Sequence, residues 1–355
     1  MRLLSAPLFL LLSLPVFAGS SHPINNWSGD VGTATIPGTV KVPLLDPGFD
    51  GVSPAISVSV NSDTDKTEIF HLVTGVDLIS VTDEFVSRHE LKVKTHNRKL
   101  INLYGEGREY KVGGEIKTVS IETLQIGEMV LRDVTAMVIS SKGLDLDFEE
   151  ANLISLNALT DVATAILPSE GVVQFEPASD GAAMLEGMTG AVRLPYENNS
   201  WEVFKYGKKK IMSPGLTTIV TAEIGGKSLP TALSVAGNTG AVGAGANVSG
   251  SAEAVQGDQH SHWAEISFGD DVATDAWFAE TTVFQVLPDE VQAIVGSDVL
   301  ARFDFAIDPA NMQVALRPAQ FQNRLDARPS VLEQALKDAE EATGLSIKTV
   351  VEDVK

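Results

Sequence analysis

The sequence contains no cysteine at all, few aromatic residues (6%), and far fewer basic than acidic side chains. Without cysteine there is no disulfide framework and no thiolate nucleophile or metal ligand, so any stability must come from a packed core. With Lys and Arg at 26 against Asp and Glu at 47, the formal charge of −21 excludes a surface built to attract nucleic-acid phosphates. It is compatible with basic peptides as partners. Beyond the first eighteen residues no apolar window is long enough to span a bilayer, so no membrane span is expected.

The one long apolar run comes first. MRLLSAPLFLLLSLPVFAGS has a single Arg, an apolar stretch of leader length and the small-residue site Val16-Phe17-Ala18. These features predict a signal peptide over residues 1–18 that is removed after Ala18. No Cys follows it to carry a lipid. An exported chain of this size without disulfides fits a bacterial periplasm, with secretion as the alternative.

What is present is mostly β-type sequence. Residues 19–50, rich in Gly, Pro, Asn and Asp, read as an irregular lead-in. From residue 51 to 177, short β-branched segments such as AISVSVNSD, TEIFHLVTG and KTVSIETLQIGEMVLRDVTAMVIS alternate with Gly and Asp breaks. One short helix is predicted in VTDEFVSRHEL, with Thr82 as its N-cap. Residues 178–215 read as a connector, in which YENNSWEVFKYGKKKIMSPG is a hairpin or linker strand and Lys208 to Lys210 a solvated turn. A second β-rich region covers 216–318. The tail over 319–355 carries an amphipathic helix capped at Ser330 and stopped at Gly344.

The two β-rich regions are related to each other. ANLISLNALTDVATAILPSEGVVQFEP (151–177) lies over QAIVGSDVLARFDFAIDPANMQVALRP (292–318) without a gap, aligning Leu159 with Leu300, Ala165-Ile166 with Ala306-Ile307, and Pro168 and Pro177 with Pro309 and Pro318. Upstream, LQIGEMV matches ISFGDDV, and VSVNSDTDKTEIFHLVTG has a counterpart in VTAEIGGKSLPTALSVAG. Three blocks in one order indicate a lobe that occurs twice in tandem.

These blocks resemble the retropepsin-like aspartic proteases. In that family a strand pair leads into an Asp-Thr/Ser-Gly loop, followed by a flap hairpin, an apolar-apolar-Gly turn with a short helix, and a final strand. FHLVTGVDLISVTDEFVSRHELKV resembles the catalytic-loop region, and AIVGSDVLARFDFAID the turn, helix and last strand. The resemblance implies a mainly β, bilobed, pepsin-like body in which two lobes of one chain take the place of a homodimer. GEGREYKVGGE (105–115) would be the flap of the first lobe.

The sequence departs from the family at the reactive positions. The catalytic Asp aligns with Val73 in the first lobe, in Val73-Thr74-Gly75. In the second it aligns with Ser234, or, with a shifted alignment, with Asn238 in Asn238-Thr239-Gly240. Ser155 also stands where the first-lobe turn expects glycine, while the second lobe keeps Gly296. The family mechanism needs two carboxylates close enough to share a proton, one as base on a water and one as acid toward the scissile carbonyl. Val offers no such group, and a Ser hydroxyl needs a neighbouring base. The expectation is therefore no catalytic pair. The cleft, lined by Val73, Thr74, Gly75, Ser234, Asn238 and Gly240, would bind a peptide or an envelope protein.

Four further groups of residues bear on chemistry. Asp77 is the fallback catalytic residue for an active endopeptidase with rearranged groups, against a role in bonding its own loop. Asp298 and Asp308 read as structural. Asp258, His260 and His262 in GDQHSHW have the spacing of a partial metal site, but two or three ligands on an exposed hairpin favour no metal. GNTGAVGAGANVSGSAEA (237–254) lacks the lysine and context of a phosphate loop and reads as a flexible loop, which in a purely structural protein could fill the cleft. No cofactor is expected.

Overall fold

The computed structural model describes residues 13–16, 32–45, 53–61, 63–74, 79–104, 109–139, 152–199, 202–206, 209–212, 217–235, 240–243, 246, 248, 250, 252–256, 259–269, 272–281 and 291–319. The chain divides into two compact units, Met1–Pro318 and Ala319–Lys355. The predicted tail helix, 330–344, lies outside the described residues.

Each lobe closes a ring of six strands, and the order is the same in both. In the first lobe the ring runs Glu109–Ile126, Ala55–Val60, Asp63–Val73, Asn152–Ser155, Ile79–Thr82, Met129–Ile139 and back to Glu109–Ile126. In the second it runs Gln259–Phe268, Thr217–Ile224, Lys227–Leu233, Ala293–Val295, Gly240–Gly243, Val272–Thr281 and back to Gln259–Phe268. Alternation explains the strands: in AISVSV, Ile56, Val58 and Val60 are buried while Ser57 is exposed. Ring closure pairs the backbone of strands that would otherwise be open edges.

A third sheet joins the lobes. Its order is Val192–Pro195, Gln313–Pro318, Phe303–Asp308, Val162–Leu167, Val172–Pro177, Val40–Pro43. At its centre Val162–Leu167 runs antiparallel to Phe303–Asp308, with Ala165 opposite Ala306. Those two alanines are aligned partners in the internal repeat, so the pseudo-twofold axis passes through their pair. One face of the sheet is covered by the helix Gly181–Gly187, whose Met184 and Leu185 pack with Ala163, Ala165, Leu167, Ala306 and Ala315. Gly181 is required there. A Cβ on it would lie 2.6 Å from the Asp308 carboxylate.

The bilobed, mainly β architecture is as the sequence blocks imply, and the predicted helix is found at Asp83–Arg88, with Phe85 N–H donating to the Thr82 hydroxyl at 3.0 Å. Two segments differ from expectation. Val40–Pro43, within the supposed lead-in, and Val192–Pro195, within the supposed connector, are the two outer strands of the joining sheet. They are equivalent. Val42 pairs with Val173 and Leu194 with Val314, and Val173 and Val314 are themselves repeat partners. The repeat thus reaches back to VKVP and VRLP, motifs too short for periodicity to reveal. The stretch 237–254, expected as a flexible loop, contributes Gly240–Gly243 to the second ring and the outer strand Ala252–Gln256. Its Val242 is only 1% exposed. Hydrogen bonds from two flanking strands hold this Gly-rich segment, and its composition does not report them. Within the expected leader, Ser13–Val16 lies antiparallel to Lys99–Asn102 of the strand Lys94–Tyr104.

A buried polar cluster ties the lobes together on the joining sheet. Asp304, 1% exposed, accepts from the Ser169 amide at 3.0 Å and hydroxyl at 2.5 Å, and from Arg317 Nε and Nη2, both at 2.9 Å. The adjoining Glu170 meets Lys41 at 2.8 Å on the surface, where the pair contributes little. Removing the buried carboxylate leaves several donors unpaired. Asp304→Ala is expected to lower unfolding free energy by about 3 kcal/mol, at the lower end for such breaks because Arg317 is partly solvated. Urea denaturation followed by fluorescence checks this, and Lys41→Ala should change stability by no more than about 0.5 kcal/mol.

Candidate functional site

The site is built from two strand ends that the pseudo-twofold brings together. Asp63–Val73 pairs in parallel with Asn152–Ser155, placing Val73 opposite Ser155. Lys227–Leu233 pairs in parallel with Ala293–Val295, placing Leu233 opposite Val295, and the Ser234 amide donates to the Val295 carbonyl at 2.9 Å. Since Ser155 and Gly296 are repeat partners, the residue equivalent to Val73 is Ser234. The shifted alignment is excluded by the next strand. Ser80 pairs with Leu153 and Ala241 with Ile294, so Gly240 takes the place of Ile79, and in sequence Asn238 precedes Gly240 by the same two positions that separate Asp77 from Ile79.

Thr74 fixes the two ends against each other. It is 3% exposed, and its hydroxyl donates to the Leu233 carbonyl at 2.8 Å while accepting from the Val235 amide at 3.1 Å. One side chain of the first lobe thus clasps the backbone on both sides of Ser234. In the second lobe the equivalent of Thr74 is Val235, also buried and without a hydroxyl. The clasp is one-sided.

A second bond between the lobes lies close by. The Asn157 side-chain amide donates to the Thr218 hydroxyl at 3.3 Å. Asn157 is positioned by Ser155, whose hydroxyl accepts the Asn157 N–H at 3.2 Å and caps the 3-10 turn Leu156–Ala158. That contact accounts for a serine where the second lobe has Gly296, which precedes the helix Ser297–Leu300 with no side-chain cap.

The chemistry offered at this point is meagre. Val73 is 2% exposed and brings only methyl groups. Ser234 is partly exposed and brings one hydroxyl. Gly75, Asp77 and Asn238 lie outside the described residues, as do residues 105–108 of the segment expected as the first-lobe flap. Gly240 begins the strand Gly240–Gly243. Asp308 is fully buried and accepts from the amides of Ala310 and Asn311 and from the Asn311 side chain, holding a turn. Asp298 accepts from Val299 N–H in the first turn of its helix. His260 and His262 occupy alternate positions on Gln259–Phe268, and Asp258 is outside the described residues. Among the described residues no three His, Cys, Asp or Glu side chains are placed to hold a metal ion.

Two charged groupings were not found by sequence reasoning. Asp304 with Arg317 is one, and its signal was a pair of opposite charges on the neighbouring strands FDFAID and QVALRP, which the register sets opposite each other. The other is Glu68, buried in the first lobe, where its carboxylate meets His89 Nε2 at 2.8 Å and Arg88 Nε at 3.2 Å. His89 also lies against the ring of Phe85, centroids 4.6 Å apart. Glu68 lies five residues before Val73 on the same strand and Asp304 on the joining sheet, and both have partners that account for them.

No family model matches the chain, and no curated protein does. Among solved structures it is similar to an aspartic proteinase from Irpex lacteus, at 12% identity and a TM-score of 0.45 over 81% of this chain and 99% of that one. It is also similar to conglutin gamma, a basic 7S globulin from lupine seeds, at 11% identity and a TM-score of 0.44 over 79% and 95%. Basic 7S globulin from soybean shows 9% identity and a TM-score of 0.46 over 80% and 96%.

The clasp has a measurable signature. Thr74→Val leaves a buried carbonyl and a buried amide unpaired and is expected to cost about 1–3 kcal/mol of unfolding free energy. Thr74→Ser, which keeps the hydroxyl, should recover most of that loss in the same thermal or urea titration. A Ser variant that loses as much as the Val variant would show that the hydroxyl alone does not account for the clasp.

Proposed function

We propose that this chain is an exported, aspartic-protease-like protein that holds an extended peptide, or a segment of an envelope protein, between its lobes without cleaving it. The observation that carries this reading is the pair Val73 and Ser234 at equivalent strand ends, clasped by Thr74 yet lacking any carboxylate of their own. A dyad of this type works because two acids about 3 Å apart share one proton. Valine and serine share none, since a serine hydroxyl stays protonated unless a base adjoins it. The support therefore lies in a retained frame around replaced reactive groups. Extended-peptide binding uses backbone pairing with hairpins such as Lys94–Tyr104 with Glu109–Ile126, which needs no acid.

Export, with a periplasmic location, belongs to the same proposal and rests on the leader-like residues 1–18. Monomeric action belongs to it as well, because both lobes come from one chain. The competing reading is an aspartic-type endopeptidase using Asp77. The lobe equivalence counts against it, because the counterpart of Asp77 is Asn238, an amide that does not take a proton at working pH.

The experiment uses residues 19–355 and a mixture of basic and neutral peptides between pH 3 and 7. Retention on the protein is measured by fluorescence polarisation and cleavage by mass spectrometry. The expected result is retention, strongest for basic peptides, with no new termini at any pH. Acid-favoured cleavage abolished by Asp77→Asn would replace this reading with the endopeptidase. Absence of both retention and cleavage would defeat the binding reading.

A further inference from the structure

Two residues before Val73, on the same strand, stands a ring that the clasp does not use. In Asp63–Val73 the side chains of Phe70 and Leu72 belong to the apolar core, while Ile69, His71 and Val73 take the alternate positions and are not part of it. Along that face Ile69 is 55% exposed, His71 is half-buried and Val73 ends the row beside the clasp. Across the sheet Ala55 stands opposite His71 on one side and Leu153, also half-buried, on the other. The Leu72 amide donates to the Pro54 carbonyl at 2.7 Å, so Ala55 and His71 form a pair without hydrogen bonds between its own members, the kind in which side chains come closest. The side chain facing the imidazole there is a single methyl group.

One bond fixes the state of this ring. Nδ1 of His71 lies 3.2 Å from the Ser53 carbonyl. A carbonyl oxygen only accepts, so Nδ1 carries the proton, and in the neutral ring Nε2 is left as a bare acceptor. Among the described residues no donor meets Nε2. The other histidines of the first lobe are different. Nε2 of His89 lies 2.8 Å from the Glu68 carboxylate, and Nε2 of His96 lies 2.8 Å from the Thr118 hydroxyl. Of these three rings, His71 is the one whose Nε2 the fold leaves unused, and it is the one on the strand face that leads to the site.

We propose that His71 is the specificity-determining residue for the bound peptide, its Nε2 accepting a hydrogen bond from the side-chain hydroxyl or amide of a Ser, Thr, Asn or Gln whose neighbours in the peptide are small or apolar. The inference rests on the peptide-binding reading above and names what that peptide must carry. Ile69 and Leu153 supply apolar contact on either side of the ring. An aliphatic side chain in the same place would cover Nε2 and leave it without a partner, and that penalty, more than the bond itself, separates the two kinds of peptide. Basic residues elsewhere in the peptide suit a body of formal charge −21. Charge then brings the peptide to the protein, and His71 selects among the peptides that arrive.

The test uses residues 19–355 and fluorescein-labelled peptides of the form Lys-Val-Ala-Xaa-Ala-Val-Lys, with Xaa as Gln, Ser or Leu, at pH 8. Fluorescence polarisation should show the Gln and Ser peptides bound about fivefold tighter than the Leu peptide, the effect of one ordinary hydrogen bond. His71→Asn keeps a donor for the Ser53 carbonyl but has nothing in the place of Nε2. It should unfold at the same midpoint and bind the three peptides equally. His71→Gln, whose amide reaches the place of Nε2, should recover part of the preference. Nitrogen NMR of protein labelled at its six histidines, with His71 assigned by its loss in His71→Asn, should show the free ring protonated at Nδ1. The Nε2 signal should move on adding the Gln peptide and move less with the Leu peptide. A free ring protonated at Nε2, equal binding of the three peptides by the unsubstituted protein, or a preference that His71→Asn leaves intact would overturn the proposal while peptide binding itself stands. Binding of none of the peptides would defeat both.

Discussion

Everything in the body of this protein depends on one antiparallel contact, the pairing of Thr164–Ile166 with Phe305–Ile307 across the pseudo-twofold axis. It converts two separate rings of strands into one object, because each ring sends its last strands into the shared sheet. At the axis both residues are alanine, whose small side chains let Met184 and Leu185 of the helix Gly181–Gly187 pack onto that face of the sheet. Once this contact is made, the ends of Asp63–Val73 and Lys227–Leu233 must meet on the same axis. The Thr74 clasp is a consequence of the sheet below it.

The polar groups buried between the lobes work in a complementary way. Apolar packing across a near-symmetric interface tolerates small slips, because one methyl contact resembles the next. A carboxylate such as Asp304, with three nitrogen donors and a hydroxyl converging on it, tolerates far less, since any slip leaves a charge or a donor unpaired. Asn157 with Thr218 and Thr74 with the Leu233–Val235 backbone add bonds of the same kind. Apolar area supplies the adhesion, and these few groups set the register.

The legible part of the fold was the part written in long blocks. The match of 151–177 to 292–318 carried the joining strands and the turn beside the site, and from it the two-lobed plan followed. VKVP and VRLP escaped because a four-residue strand with two inward positions has no measurable period. Gly240–Gly243 escaped for another reason: its strand character comes from neighbours on both sides and not from its own residues. At the site, Val73 was legible at once, since a Thr-Gly follows it. Ser234 against Asn238 was ambiguous in sequence because the loop keeps an Asn-Thr-Gly that imitates the motif, and only the strand register separates them. Thr74 is legible as a cleft residue. That its hydroxyl reaches the other lobe is a fact of tertiary structure, carried by residues about 160 positions away.

The one-sided clasp has an arithmetic consequence for the halves of this chain. An assembly made from two copies of the first lobe would contain two threonine hydroxyls and could clasp in both directions. An assembly made from two copies of the second lobe would place Val235 on both sides and have no clasp at all. The halves are therefore no longer interchangeable parts, although their strand order still is. Their covalent linkage supplies the one pairing, first lobe with second, that the second lobe requires and could not make with itself.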